Sequence, residues 1–586
     1  MNEQININVN GKNYSVRAEQ TIMQALDGLG FYIPRLCYHP KLSIEGSCRV
    51  CIVEVEGQSN YVTSCTFPIS EGMKIKTNTA ELRQARRDIV ELIFDNHPSD
   101  CHICEMDGDC ELQRLANSVG IRRRHFTGEK RLHHEGDSSS PAIIRDPDKC
   151  ILCGRCVRLC HQIQGVSAID FSGRGFQTVV TTAYDMPIKD SVCTTCGQCV
   201  NVCPTGALVE KNYTRKLFEE LSNENKIKVI QIAPAVRAAI GELFGLEPGT
   251  QAEGKLVAAM RKLGFDLVFD SQFAADLTIM EEASEFLERL TGDGPLPMIT
   301  SCSSAWIKYV EQFHPEMMKN VSTCKSPMSM LGALIKTYYA KKKGIDPQNI
   351  LSVAVMPCTA KKEEIEREEL KIDGEKMIDI VVTTREIGWM IKSAGIDFLN
   401  TEDEKFDSLL GVSSGAGTIF GVTGGVMEAA LRTTYELYTG ETLIDLEFSE
   451  LRGFKGIKEA SLEIGDKEVR VAVAHGLRNV HFLLETLKKD PLRYQYIEVM
   501  SCPGGCIGGG GQPYAGKNYI PLDEELLAKR ASALYGLDRR NTIRRSHENP
   551  EIQRLYKEFL GRPLSPVSHK LLHTFYAKKS PQGIVF

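Results

Sequence analysis

The sequence predicts a multidomain chain that joins small α+β units to one large α/β region. Three observations predict it. The chain has 586 residues, too many for one hydrophobic core of ordinary size. Most of its 20 cysteines fall in short runs before residue 209. From residue 227 onward, apolar strand-like runs alternate with helical periodicity. The divisions expected from these shifts are 1–78, 79–140, 141–209, 210–522 and 523–586.

Composition is that of a globular protein, 42% hydrophobic and 25% charged, and a net charge of −6 gives no reason to expect nucleic acid as a partner. The start, MNEQININVN, lacks the apolar stretch of a secretory signal, and no uninterrupted apolar run of about 18 residues offers a spanning helix. The expected setting is a reducing cytoplasm, where clustered cysteines serve as metal ligands rather than disulfides.

Taken in order, residues 2–16 alternate as a hairpin, with Ile5, Ile7 and Val9 on one face and Asn10-Gly11 at the turn. A short helix (TIMQALDGLG), a cysteine loop, the strand IVEVEG and strands near Tyr61–Cys65 and Lys74–Thr77 complete a small α+β unit. Its cysteines are Cys37, Cys48, Cys51 and Cys65. They resemble the plant-type [2Fe–2S] arrangement with a lengthened first gap, as in the amino-terminal domain of the large iron–sulfur subunit of respiratory complex I. A structural zinc is the competing reading.

Residues 80–96 read as a helix with Leu82, Ile89, Leu92 and Ile93 inward. It leads to HPSDCHICEMDGDC, which holds Cys101, Cys104 and Cys110. Three cysteines leave a cluster one ligand short, and His97 or His102 can close the set. His97, followed by Pro98, resembles the His-Cys₃ [4Fe–4S] motif shared by complex I relatives and iron-only hydrogenases; His102 sits between two ligands. The segment HHEGDSSSPA (133–142) reads as a linker.

Two runs follow, CILCGRCVRLC and CTTCGQCVNVCP. Each spaces four cysteines by two, two and three residues. This is the pattern of bacterial two-cluster ferredoxins, in which the fourth cysteine of each run ligates the other cluster. One set is then Cys150, Cys153, Cys156 and Cys203; the other is Cys193, Cys196, Cys199 and Cys160. Zinc knuckles would not cross a fourth cysteine. His161 stands where the pattern expects proline, whereas Pro204 fits it.

In the α/β region the strand-like runs are KVIQIAP, DLVFD, LPMITSC, ILSVAVMPC, DIVVTT, VRVAVAHG and YIEVMSC. Most are apolar on both faces, as buried parallel strands are. Three end in cysteine, Cys302, Cys358 and Cys502, with Cys506 four residues beyond. Ligands of open α/β sheets sit outside the carboxyl ends of strands, so these cysteines can converge. The stretch 413–432 does not match the dinucleotide fingerprint. The glycines of CPGGCIGGGGQP would let backbone approach a bulky inorganic group.

TSCSSAW (300–306), MPCTAKKEE (356–364) and EVMSCPGGCIGGGGQP (498–513) resemble the three motifs of the iron-only ([FeFe]-) hydrogenase catalytic domain. The similarity in motif order extends through essentially the whole chain, to RRSHENP (544–550), and matches the long multi-cluster form found also in NAD(P)-linked, electron-bifurcating assemblies. It implies a β-grasp [2Fe–2S] domain, a small His-Cys₃ domain, a bacterial 2[4Fe–4S] domain, a two-lobed α/β catalytic domain and a carboxy-terminal small-subunit-like helical segment. It implies one [2Fe–2S] and three accessory [4Fe–4S] clusters. It also implies an H-cluster, a [4Fe–4S] cubane joined to a two-iron unit carrying CO and cyanide. By the same resemblance Cys358 and Cys502 match cubane ligands and Cys506 the bridging cysteine. Lys361 matches the lysine that bonds a cyanide, Met356 and Met500 pack on the two-iron unit, and Pro234 and Ala235 lie near the other cyanide. Cys302, Glu282, Ser322 and Glu285 match a relay carrying protons outward.

One position departs. The family usually reads TSCCP, and its second cysteine is the remaining cubane ligand; here that column holds Ser303. A serine oxygen ligates iron, or Cys302 shifts to do so, or the cubane is three-coordinate. Cys324 is left over and reads as a core thiol. The function implied is reversible H₂ oxidation and proton reduction, with electrons passing through the accessory clusters to ferredoxin or to flavin- and NAD(P)-binding partner subunits. An electron-transfer subunit of the complex I type and a low-turnover H₂ sensor are the alternatives.

Overall fold

The computed structural model describes residues 3–123, 125–126, 133–516 and 519–579. At the amino end, Gln4–Val9 pairs antiparallel with Lys12–Arg17, and Asn10 and Gly11 both take positive φ at the turn between them. Lys74–Lys76 lies parallel to the first strand, and Ile52–Val55 and Val62–Thr63 complete a five-stranded sheet. Helix Ile22–Gly28 opens on a capping box at Thr21 and buries Ile22, Met23 and Leu26 against Ile5, Ile7 and Val9.

Helix Ala80–Asp95 forms as its periodicity predicts, but its buried face differs. Leu82 is buried and Ile89 and Ile93 are half-buried, whereas Leu92 is 50% exposed. The buried stripe is Leu82, Arg86 and Val90, at four-residue spacing. Polar residues join it because they are paired: Arg86 donates to the Ile52 carbonyl at 2.5 Å, and Glu91 holds the His125 ring at 2.8 Å. The stretch 133–142 is no free linker, since Asp137 and Arg145 bond backbone to backbone and Ser140 and Ala142 are buried.

The two cysteine runs form a repeated device. Gly154 and Gly197 take left-handed φ and open helices Arg155–Gln162 and Gln198–Val202, turning the chain inside each CxxCGxC. Strand pairs Ile143–Arg145 with Leu208–Glu210, and Asp170–Ser172 with Val179–Thr181, flank them.

The α/β region holds two four-stranded sheets. One orders Leu267–Asp270, Ile227–Ile232, Ile350–Met356 and Ile380–Thr383, all parallel. The other orders Met298–Ile299, Tyr496–Met500, Lys467–His475 and Ile457–Ile464. Its last strand is antiparallel and is absent from the strand-like runs, because IKEASLEI alternates charged and apolar residues instead of running apolar. Helix Ser271–Thr291 runs between the two cores: Phe273 and Leu277 enter one, Ala275, Ile279 and Phe286 the other. The carboxy-terminal helices return to this core through Ile552, Leu555 and Leu572. No described helix is long and apolar enough to cross a membrane.

Candidate active site and its electron path

Strand ends from both sheets open on one apolar cavity of about 100 Å³. Cys358 follows Ile350–Met356, Cys502 and Cys506 follow Tyr496–Met500, and Cys302 and Ser303 follow Met298–Ile299. All five line the cavity, together with Pro234, Ala235, Met356, Lys361 and Met500. Pro234 lies in the first turn of a short helix, where a missing N–H costs nothing. Burial pushes the Cys302 thiol well above the ordinary range, with the Glu282 carboxylate adding to the shift. Lys361 donates to Glu364 at 2.7 Å and to the Cys302 carbonyl at 3.2 Å.

Ser303 stands at the start of helix Ser304–Phe313 but does not cap it. Its Oγ lies 2.7 Å from Ser501 Oγ and accepts from the Ser501 N–H at 3.2 Å. The donors at the strand ends are therefore the thiols of Cys358, Cys502 and Cys506, the inner thiol of Cys302 and the Ser303 hydroxyl, with Cys196 and the hydroxyls of Ser271, Ser304 and Ser501 on the same cavity wall. Thiols in an apolar pocket fit an iron–sulfur group; the hydroxyl is the harder donor.

The glycines of 502–513 act first on other backbone. A Cβ on Gly505 would stand 2.7 Å from Thr423 N, and one on Gly509 2.1 Å from the Pro357 carbonyl. Only some of them reach the cavity, so close chain-to-chain packing explains the run better than a cradle alone. His475 fixes this loop: its Nδ1 accepts from the Gly504 N–H at 3.2 Å and its Nε2 donates to the Phe454 carbonyl at 3.1 Å. Burial lowers His475 to about 4, so the ring is neutral and holds that tautomer.

Outward from Cys302 runs a row of buried polar groups on helix Ser271–Thr291 and the segment facing it. Neither oxygen of Glu282 makes a full hydrogen bond among the described residues, although the Ser322 hydroxyl is near enough to stabilise its charge slightly; burial with the charges of Glu285 and Glu498 outweighs this and pushes it up to about 8. Ser322 donates to Glu285 at 2.7 Å, and Arg289 holds the other Glu285 oxygen at 2.5 Å. Thr323 N–H also reaches Glu285.

On the other side lies the electron path. Cys160, Cys193, Cys196 and Cys199 line one small cavity, and Cys150, Cys153, Cys156 and Cys203 line a second. Cys196 lines both the first of these and the strand-end cavity. Arg385 ties the two regions: it bonds Glu210 at 2.9 Å, Asn201 at 3.1 Å and the Gln512 carbonyl at 2.7 Å, and stacks over Tyr514. Farther out, Cys110 donates to the Pro204 carbonyl at 3.6 Å, and a Cβ on Gly206 would meet Cys104 Sγ at 2.7 Å. His97 is buried with Nδ1 bonded to the Pro98 carbonyl, whereas His102 is exposed in the turn Cys101–Ile103. At the amino end, Cys48 holds Cys37, and Cys65 holds Cys51, well below the ordinary thiol range through thiol–thiol hydrogen bonds.

Ser501 and Gln512, inside the motif 498–513, also touch these groups, as do His475, Thr323 and His573, which stand outside the cysteine motifs. Cys324 is buried, as a core thiol is, but its Sγ lies 3.8 Å from Glu285.

Thiol sets leading to a strand-end cavity, with a buried carboxylate row beyond it, define an iron–sulfur redox enzyme that delivers electrons and protons to one site. The chain belongs to the iron-only ([FeFe]-) hydrogenase family. The family described as the iron-only hydrogenase large subunit, C-terminal domain, matches residues 226–510, and the iron hydrogenase small subunit matches 524–579. A 2Fe-2S cluster binding domain matches 2–80, the NADH-ubiquinone oxidoreductase-G iron-sulfur binding region 86–125, and the NADH-quinone oxidoreductase subunit 3 ferredoxin-like domain 140–209. The chain is 50% identical over 586 residues to the NADP-reducing hydrogenase subunit HndD of Solidesulfovibrio fructosivorans, spanning 98% of this chain and 99% of that one. It is 38% identical over 572 residues to iron hydrogenase 1 of Clostridium pasteurianum, spanning 97% and 99%. A solved apo form of the [FeFe]-hydrogenase HydA1 of Chlamydomonas reinhardtii superposes with a TM-score of 0.57 and 42% identity, over 63% of this chain and all of that one. The protein is an iron–sulfur hydrogenase that interconverts H₂ with protons and electrons at an H-cluster. Neither a purely electron-transferring subunit nor a sensor is favoured.

Proposed function

We propose that this hydrogenase links H₂ to an NADP-type acceptor through partner subunits, and that its own residues divide into three sets. Cys358, Cys502 and Cys506 hold the H-cluster, with Ser303 at the fourth cubane position. Cys37, Cys48, Cys51 and Cys65 hold one [2Fe–2S] cluster. His97 with Cys101, Cys104 and Cys110 holds one [4Fe–4S] cluster, through His97 Nε2. The crossed sets Cys150, Cys153, Cys156, Cys203 and Cys193, Cys196, Cys199, Cys160 hold two more. These sets fall in a β-grasp domain, a His-Cys₃ domain and a bacterial two-cluster domain ahead of a two-lobed catalytic domain. The observation that carries the reading is Cys196, which faces the catalytic cavity and a ferredoxin-like cavity at once.

When bound, the H-cluster supplies the redox-active iron at which H₂ is split or formed. Met356, Met500, Pro234 and Ala235 keep water from that cavity. Lys361, pinned by Glu364, presents a fixed ammonium donor. Cys302 holds a proton on sulfur because burial disfavours its thiolate. Glu282, poised at about 8, exchanges that proton near neutral pH. Ser322 passes it to Glu285 as its own hydroxyl proton moves on.

The relative's NADP-reducing activity supports a flavin- and NAD(P)-binding partner in a hetero-oligomer, with ferredoxin as a second acceptor where electrons bifurcate; a cytoplasmic setting is part of the same proposal. The test is the matured chain under H₂, alone and with its partner subunits. Four accessory cluster signals by electron paramagnetic resonance are expected, together with dye reduction by the chain alone and NADP⁺ reduction only in the assembly. Ser303→Cys is expected to change the cubane spectrum. Unchanged spectra would remove Ser303 from the ligand set, and NADP⁺ reduction by the isolated chain would remove the partner requirement.

A further inference from the structure

The carboxylate row does not stop at Glu285. The segment Thr323–Cys324 pairs with His573, just past helix Pro566–Leu572 of the carboxy-terminal region. Thr323 donates its backbone N–H to Glu285 at 3.1 and 3.2 Å, and its hydroxyl lies 2.8 Å from His573 Nδ1. Glu285, Cys324 and His573 place ligand atoms within 4.8 Å of one another, all buried. The far ring nitrogen, Nε2, lies 3.1 Å from Glu281 Oε2. His569, one helical turn earlier, is exposed, and its ring centre is 4.5 Å from that of His573.

A metal ion is the weaker use of this cluster. Both His573 nitrogens are engaged, and Glu285 already accepts from Ser322, Thr323 and Arg289. Glu285 grips Thr323 by its backbone N–H while the Thr323 hydroxyl bonds His573, and the exposed His569 ring lies beside that imidazole; a carboxyl, a hydroxyl and two imidazoles gathered this closely are better suited to moving protons.

We propose that Thr323, His573 and His569 form an outlet by which protons pass between Glu285 and solvent. In the outward direction the Glu285 O–H breaks and its proton goes to the Thr323 hydroxyl, whose own proton forms the N–H on His573 Nδ1. The imidazolium is balanced by Glu281, which is held ionised by Tyr556 at 2.7 Å and the Leu564 N–H at 2.8 Å. The ring returns to neutral when its Nδ1–H turns from Thr323 toward the neighbouring His569 and breaks, the proton passing to that exposed imidazole and on to water. The other titratable groups gathered at His573 are Glu285 and Cys324; Lys325, next on that segment, is buried and bonds the Leu572 carbonyl through its backbone N–H. The outlet belongs to the carboxy-terminal segment, so that segment completes the proton path of the catalytic domain. The proposal rests on the relay reading of Glu282, Ser322 and Glu285.

The experiment uses the matured holoenzyme, with iron-bound CO and cyanide bands confirming the loaded site. Dye-linked turnover is measured against pH in H₂O and D₂O for wild type, Glu285→Gln, His573→Gln and His569→Gln. His573→Gln should lower turnover by about tenfold, with a larger solvent isotope effect, as loss of a positioned proton carrier does. His569→Gln, on the surface, should alter the pH profile and recover with added imidazole, which a structural role would not do. The outlet is overturned if both histidine variants, with bands intact, keep the wild-type profile and isotope effect while Glu285→Gln loses turnover. If Glu285→Gln also keeps wild-type turnover, the relay reading itself fails instead. Should His573→Gln not accumulate, His569→Gln with imidazole decides.

Discussion

Gly510 packs directly on Cys196: a Cβ at position 510 would stand 2.4 Å from the Cys196 carbonyl oxygen and 2.7 Å from Gly197 Cα. This contact brings the catalytic loop and a cluster-binding loop to backbone distance, and Cys196 is the residue shared by their two cavities. Neither partner can yield cheaply, because both are backbone. Gly510→Ala should therefore destabilise the junction by about 1–3 kcal/mol, as overpacking does. Dye-linked H₂ oxidation should fall, while H/D exchange, which needs no electron to leave, should hold. Equal loss of both rates would mean that Gly510 supports the catalytic loop alone.

The cysteines of this junction were legible because cluster chemistry fixes ligand spacing, and each ligand run is local in sequence. The convergence of Cys302, Cys358 and Cys502 was legible because each closes an apolar strand. The rest was not, for reasons of distance and pattern. Glu281 and His573 meet across 292 residues, and Cys324 and Glu285 across 39. Such pairs leave no periodic trace. Leu92 reads as inward because hydrophobicity alone cannot show that Arg86 and Glu91 find buried partners. The strand Ile457–Ile464 is hard to read because it is an edge strand whose exposed side, Glu459, Ser461 and Glu463, is polar. The glycine run had two adequate explanations, and only its neighbours separate them.

Glu282 gives a pH prediction. Its carboxyl is raised from 4.5 to about 8 by burial and by the charges of Glu285 and Glu498. Between those values the unfolded chain has lost the proton and the folded chain keeps it, so stability falls as pH rises across that window. Below about 4.5 both states are protonated and the penalty vanishes. Glu282→Gln should thus be more stable than wild type at pH 8 and nearly equal to it at pH 4.5, read as the difference in apparent melting temperature. Its turnover should fall by roughly 10²–10⁴-fold, because the amide cannot carry a proton. A stability difference that does not grow with pH would show that Glu282 is ionised in the folded protein.

Arg385 offers the sharpest test of how the cluster-binding and catalytic regions are joined. Its guanidinium is buried and serves both sides: Glu210 and Asn201 on one, the Gln512 and Gly510 carbonyls on the other. Its plane lies over the Tyr514 ring, 4.3 Å from the centroid. A lysine keeps the charge but has neither the fork nor the planar face. Arg385→Lys should cost about 1.5–3 kcal/mol through lost charged hydrogen bonds. Arg385→Ala leaves Glu210 buried with Lys362 as its remaining recorded cation, 4.0 Å away, and should cost about 3–5 kcal/mol. In both variants limited proteolysis should cut first near residues 210–226, where the two regions meet in sequence, before either core is degraded. A wild-type melting profile in Arg385→Ala would mean that the packing of Gly510 on Cys196 holds the joint unaided.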